Sequence, residues 1–193
     1  MKAIVQDQYG SEEVLELREI DRPIIGGDEV LVRVQAASIH LGDRILMTGS
    51  PFVMRMATGL RRPKYRIPGT DVAGTVEAVG ANVTSFRPGD EVFGCMSLNE
   101  MSSFAEYVCA REDAALALKP ANMTFEQAAA VPLAAFTALQ GLRDAGKIQP
   151  GQKVLINSAS GGVGTFAVQI AKTIGAEVTA VCSSRNLEMA GSL

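Results

Sequence analysis

Tryptophan is absent from this 193-residue chain, histidine occurs once and cysteine three times. One histidine restricts metal chemistry, because a catalytic zinc needs three protein ligands from Cys, His or carboxylate in one place. Cys95, Cys109 and Cys182 are odd in number and far apart, which argues against a disulfide framework and for a reducing, cytoplasmic setting. No apolar run is long enough to cross a bilayer; the longest, residues 128–139, is short and broken by Pro132. The opening Met1-Lys2 is followed by too few apolar residues for a signal-peptide core. A net charge of −3 without a basic stripe speaks against nucleic acid. Neither nucleic acid nor membrane is therefore expected as a partner. There is no internal repeat and no low-complexity tail. Hydrophobic residues make up 47% and charged ones 20%, an ordinary globular balance that allows one large or two small domains.

What is present centres on residues 154–164. Val154, Leu155 and Ile156 read as a buried parallel strand. A turn of small residues follows, then a helix with Val163, Ala167, Ile170, Ala171 and Ile174 on one face, stopped at Gly175. A second apolar run, 178–181, completes a strand–turn–helix–strand unit. Ala159-x-Gly161-Gly162-x-Gly164 is a loose variant of the dinucleotide fingerprint, and it sits in the context that fingerprint requires. A turn of Ser160, Gly161, Gly162, Val163 and Gly164 lets backbone N–H groups approach a diphosphate, which the helix dipole also favours. The bland alternative is a glycine turn that only packs helix on strand.

The second strand runs into Cys182, Ser183, Ser184, Arg185 and Asn186, with no acid to bond ribose hydroxyls. Arg185 and the hydroxyls of Ser183 and Ser184 suit a 2′-phosphate, so NADPH is expected ahead of NADH. Arg185 also reads as a solvated residue in a helix first turn capped by Ser184.

The earlier chain reads as short strands punctuated by Gly and Pro: residues 2–6, 14–20, 29–34, 72–79, 88–94, 104–109 and 114–118. That pattern suggests a compact, partly open β-barrel. A long irregular stretch, 38–68, lies between the third and fourth strands, and loops of that length generally carry function. Near Pro120 the pattern changes. Thr124 and Gln127 form a capping-box signature, Pro132 interrupts the alanine-rich helix, and a second helix is expected over 134–145. The expected division is a barrel domain, 1–120, and a nucleotide domain, 121–193.

Taken together, Pro-Gly-Thr-Asp-Val-Ala-Gly-Thr-Val-Glu-Ala-Val-Gly at 68–80, Pro-Gly-Asp-Glu-Val-Phe-Gly at 88–94 and the glycine turn resemble the medium-chain dehydrogenase/reductase superfamily. The likeness is greatest to its zinc-free quinone oxidoreductase branch and covers essentially the whole chain. It implies an α/β fold with a β-barrel: a GroES-like catalytic domain followed by a partial Rossmann domain, a doubly wound parallel sheet, with the active site in the cleft between them. It also implies NADPH-dependent transfer of hydride to a quinone, an enone or a related carbonyl.

Zinc alcohol dehydrogenases of the superfamily place a Cys in the stretch matching 37–43 and Gly-His-Glu where this chain has Gly69, Thr70 and Asp71. Those ligands and the four-cysteine structural lobe are missing, so neither zinc nor any other metal is expected. The protein must then position substrate and cofactor and hydrogen-bond the oxygen that gains charge. Catalytic candidates are His40, where the related branch usually has Asn, and Asp43, which matches an acid of that branch. Imidazole exchanges protons near neutral pH, so His40 suits a donor to the substrate carbonyl; it also suits a half-buried residue bonded to backbone. Asp43 also reads as the cap of a short helix. Thr137 matches a family position that contacts the nicotinamide side of the cofactor, and otherwise reads as a helical Thr bonding its own backbone. Arg61, Arg62 and Lys64 read as a solvated loop, or less favourably as a substrate or phosphate contact.

A dinucleotide fold has two βαβαβ halves, and its strands three to six are not found before Leu193. The expectation is either a fragment of a longer reductase or a natural short form, with an exposed apolar edge at residues 154–156, weak cofactor binding and little turnover. Relatives commonly pair through nucleotide-domain strands, so a homodimer stays open. A non-catalytic dinucleotide-binding or interaction protein on the same scaffold is the competing reading, and a zinc alcohol dehydrogenase is a weaker third.

Overall fold

Alternating valines build the first part of the molecule. A computed structural model describes residues 1–96 and 102–193. These form two compact units, Met1–Pro132 and Leu133–Leu193.

In the first unit, β1 (Lys2–Gln6) pairs antiparallel with β2 (Leu15–Glu19). Five further strands form one antiparallel sheet: β3 (Glu29–Ala37), β4 (Asp71–Val79), β5 (Glu91–Cys95), β6 (Tyr107–Arg111) and β7 (Ala115–Leu118), in the order β6-β3-β4-β5-β7. An Ala3–Ala105 bridge joins the chain just before β6 to β1. The partly open barrel is thus an open sheet. Two register shifts along β3, at Leu31/Val32 and Val34/Ala36, supply the local bends that such a sheet uses to curve.

Val30, Val32, Val72, Val76, Val92, Met96 and Val108 make its core. β4 is buried on both faces over its first four residues, because Ala73 meets Ala128 and Ala129 of α3 (Phe125–Ala129) on the side away from that core. The capping box at α3 is formed as its spacing predicts. Gln127 N–H donates to Thr124 Oγ1 at 3.2 Å, and Thr124 N–H to Gln127 Oε1 at 2.9 Å. That packing assigns 125–129 to the first unit, whereas the sequence reading divided the chain near 120.

The stretch 38–68 is less irregular than its composition suggests. It holds α1 (Leu41–Thr48), a 3-10 turn at Phe52–Met54 and α2 (Arg55–Thr58). A capping box opens α1 and Gly49, left-handed, closes it, whereas the two shorter pieces have no side-chain cap.

The alanine-rich helix breaks before Pro132 as expected, ending at Ala129, and Pro132, at the junction of the two units, opens α4 (Pro132–Leu139), where its missing N–H is no loss. The chain continues as a π-helical turn at Gln140–Ala145. β8 (Lys153–Asn157), α5 (Gly162–Ile174) and β9 (Glu177–Val181) form the expected βαβ unit, with β8 and β9 parallel. α5 ends at Gly175, whose φ of 91° is left-handed as a C-cap requires. Gly164, Ala167, Val168 and Ala171 form its buried face. Val163, expected on that face, is instead 42% exposed, because it stands in the first turn at the helix mouth. Among the described residues β8 pairs with β9 alone, and Leu155 is exposed. α6 (Leu187–Ser192) closes the described chain.

Candidate functional site

In the first unit the site grows from three strand ends on one rim of the sheet. Antiparallel pairing brings the end of β3 beside the start of β4 (Ala37 opposite Val72), and the start of β4 beside the end of β5 (Asp71 opposite Cys95). The residues leaving β3, Ser38 to His40, therefore meet Thr70 and Asp71. Ser38 Oγ donates to Asp71 Oδ2 at 3.2 Å. His40 Nε2 lies 2.7 Å from Thr70 Oγ1. Thr70, Asp71 and Asp43 are all buried.

His40 is the N-cap of α1. Gly42 N–H donates to its Nδ1 at 3.0 Å, and its own N–H donates to Asp43 Oδ2 at 2.9 Å. Asp43 thus does not cap the helix as the sequence reading allowed; it sits one turn in and bonds back to the residue that does. With Nδ1 accepting, the imidazole proton sits on Nε2 and faces Thr70, with Asp43 Oδ2 3.5 Å away. Both ring nitrogens are engaged within the chain.

Burial lifts the Asp43 carboxyl above the usual carboxylate range. The His40 backbone N–H pulls the other way, and the charge of Asp71 adds to the rise. Its second oxygen, Oδ1, is buried without a hydrogen-bond partner. A raised acid destabilises the fold where it must ionise. At low pH it is protonated in both states; as pH rises the unfolded chain loses the proton first, and the folded state loses stability until its own higher value is passed. Asp43→Asn keeps an acceptor for His40 N–H but no charge. We expect its melting temperature to exceed that of the parent by a margin that widens as the pH rises above about 4 and levels off once the folded carboxyl has ionised. A margin constant with pH would show that ionised Asp43 is well accommodated.

Cys95 closes the cluster. Burial first, then the charge of Asp71, pushes its thiol up to about 12, so it is a thiol rather than a thiolate at neutral pH. The sequence points to the stretch 38–43 for donors, Ser38 included, but not to Cys95 or Asp71 as cluster members; the pairing of β4 with β5 is the signal that joins Cys95 to them. Among the described residues no group of three or more His, Cys, Asp or Glu is placed to hold a metal ion.

In the second unit the turn Ser158 to Gly161 leads into α5. Gly161 is the N-cap and no side chain caps the helix. The first amides of α5 therefore lack partners, as helix geometry demands, and Gly161, Gly162 and Val163 are exposed. Gly164 is the buried exception: a Cβ there would lie 2.1 Å from Ser158 O and 2.8 Å from Ala159 Cα. That approach holds the helix mouth against the end of β8.

Ser183, Ser184 and Arg185 follow β9 and are exposed. Ser184 is not a cap: Ser183 holds the N-cap position of a 3-10 turn, Ser184–Asn186, and makes no side-chain cap bond. Asn186, unassigned from the sequence, donates from Nδ2 to Ser160 Oγ at 3.0 Å. The glycine turn and the Arg185 segment are thereby tied together. Thr137 lies exposed on α4 and donates to Leu133 O at 2.6 Å.

Residues 26–121 match the alcohol dehydrogenase GroES-like domain. The chain is 37% identical over its whole length to the 2-methylene-furan-3-one reductase of Solanum lycopersicum, covering 50% of that protein. Its fold matches the quinone oxidoreductase from Coxiella burnetii with a TM-score of 0.88 at 36% identity, covering all of this chain and 59% of that one. The Escherichia coli quinone oxidoreductase complexed with NADPH matches with a TM-score of 0.85 at 28% identity, over all of this chain and 56% of that one. The chain thus spans about half the length of the curated relatives it matches. It belongs to the medium-chain dehydrogenase/reductase superfamily, in the quinone oxidoreductase-like branch.

Proposed function

We propose that the protein is an NADPH-dependent oxidoreductase acting on a quinone, an enone or a related carbonyl without catalytic zinc. The observation that carries the reading is the uncapped, exposed mouth of α5, tied through Ser160 and Asn186 to the segment bearing Arg185. On this reading the second unit, residues 133–193, is the first part of a Rossmann domain. Amides of Gly162, Val163 and Gly164 receive the diphosphate, with Ser160 and Gly161 shaping the turn. Arg185, Ser183 and Ser184 take the 2′-phosphate, and Thr137 the nicotinamide side. The bound cofactor supplies a hydride to an electron-poor carbon.

His40 is assigned to the substrate oxygen. Its Nε2 proton is held on Thr70 Oγ1, and donation to substrate exchanges that bond for a new one. Asp43 fixes the residue through its backbone N–H. The donor set does not suit zinc: a threonine hydroxyl stands at the family's histidine position, Cys95 is held protonated, and His40 Nδ1 is already an acceptor. The engagement of both His40 nitrogens favours a second reading, a non-catalytic dinucleotide-binding protein. The three separate free cysteines suit a cytoplasmic setting.

Reduced-nicotinamide fluorescence on titration with NADPH tests the cofactor. Consumption of NADPH against a panel of quinones, enones and aldehydes, with and without a chelator, tests the reaction. Turnover of quinones or enones unaffected by the chelator, slow from residues 1–193 alone, is the expected result. Binding without turnover of any of them selects the non-catalytic reading, and chelator-sensitive turnover restores zinc.

A further inference from the structure

We propose that the segment 52–64 is a peripheral membrane-docking loop that binds anionic lipid surfaces. The overall charge of −3 conceals a local excess. Between Arg44 and Thr70 stand Arg44, Arg55, Arg61, Arg62, Lys64 and Arg66, with no Asp or Glu among them. Arg66 pairs with Asp7, and Arg55 is used structurally, but among the described residues no carboxylate pairs with Arg44, Arg61, Arg62 or Lys64.

The same loop exposes apolar side chains: Phe52 by 65%, Val53 by 62%, Met56 by 78% and Leu60 by 58%. Phe52 and Met56 are one helical turn apart across the 3-10 turn and α2, so they share a face. The turn that follows, carrying Leu60, Arg61 and Arg62, is closed by Lys64 N–H donating to Thr58 O at 2.7 Å.

The exposure is not that of a loose segment. Tyr9 Oη lies 2.9 Å from Thr58 Oγ1 and donates to Gly59 O at 2.7 Å. The Arg55 guanidinium stacks on Tyr9 with 4.4 Å to the ring centroid, and its Nε donates to Gly49 O at 3.0 Å. A loop anchored from below this way holds its apolar tip outward. A small cavity lies on its anchored side, lined in part by Gln6, Tyr9, Leu46, Thr58 and Tyr65. None of the four exposed apolar residues lines it. A protruding tip with a cationic collar suits a flat, deformable surface rather than a small molecule, which needs concavity. Screening at physiological salt limits the acidic remainder of the chain to weak repulsion, since only charges within about 8 Å of the surface act strongly.

The test is co-sedimentation of the full chain with vesicles of phosphatidylcholine alone or with about a third phosphatidylserine. Because the sequence has no tryptophan, Met56→Trp adds a unique reporter. We expect binding only to the anionic vesicles, abolished by about 1 M salt, with a blue shift of the Trp emission. Arg61→Gln with Arg62→Gln should weaken partition roughly 25-fold, and Phe52→Ser with Met56→Ser roughly tenfold or more. The circular dichroism of both double variants should match the parent. Failure to sediment with anionic vesicles, or equal binding to neutral ones, overturns the proposal. So does a blue shift without vesicles that grows with protein concentration, which assigns the tip to a second copy of the chain.

Discussion

Gly164→Val should remove the second unit's ordered βαβ structure and NADPH binding together. A Cβ at this position meets backbone atoms, Ser158 O at 2.1 Å and Ala159 Cα at 2.8 Å, rather than the end of a flexible side chain. No rotamer change relieves that overlap; α5 has to move away from the end of β8. Such movement also separates Ala167, Val168 and Ala171 from Ile156 and Ala159, which share their core. Overpacking of a well-filled core costs about 1–3 kcal/mol, and a backbone collision stands at or above the top of that range. Urea unfolding followed by circular dichroism should show the loss, and a titration with NADPH should show no saturable binding. Gly162→Ala is the control, since nothing lies within 4 Å of a Cβ there. If Gly164→Val retains parental stability, the close approach of α5 to the turn is wrong. If it keeps stability but loses NADPH, the glycine acts at the diphosphate alone.

Arg185→Ala should weaken NADPH about tenfold and leave NADH unchanged. A charge-assisted bond to phosphate contributes about 1.5–3 kcal/mol when well formed, and the exposed position of Arg185 puts this one at the lower end. Raising the salt should narrow the gap between the two cofactors in the parent and not in the variant. A loss shared equally by NADH and NADPH would mean that Arg185 supports the segment rather than reading the 2′-phosphate.

The parts of the fold legible in the sequence are those written in short local patterns. The strand at Lys2–Gln6 is found at its expected bounds, β7 within one residue, and the capping box of Thr124 and Gln127 forms as its spacing demands. The glycine turn likewise follows from strand, small residues and helix in succession. What escaped is whatever depends on pairing between distant segments. Cys95 joins Asp71 only because β5 lies beside β4, and no local pattern announces that. Asn186 bonds Ser160 across 26 positions, though it stood next to residues already singled out. Pro132 breaks the alanine-rich run as expected, and it also starts the next helix two residues before the expected 134, because a first helical position accommodates the ring. In His40 the sequence left donor and backbone-bonded roles open. The folded chain engages both nitrogens, since Gly42 follows it in a helix first turn and Thr70 stands just before β4.

The bond between Asn186 and Ser160 bears on any attempt to exchange one nicotinamide cofactor for the other by redesign. The residues that would discriminate the adenosine ribose hang from the same strut that steadies the phosphate turn. Swapping Arg185 for an acid to favour NADH therefore has to leave Asn186 and its geometry intact, or the gain in selectivity will be offset by a weaker grip on both forms.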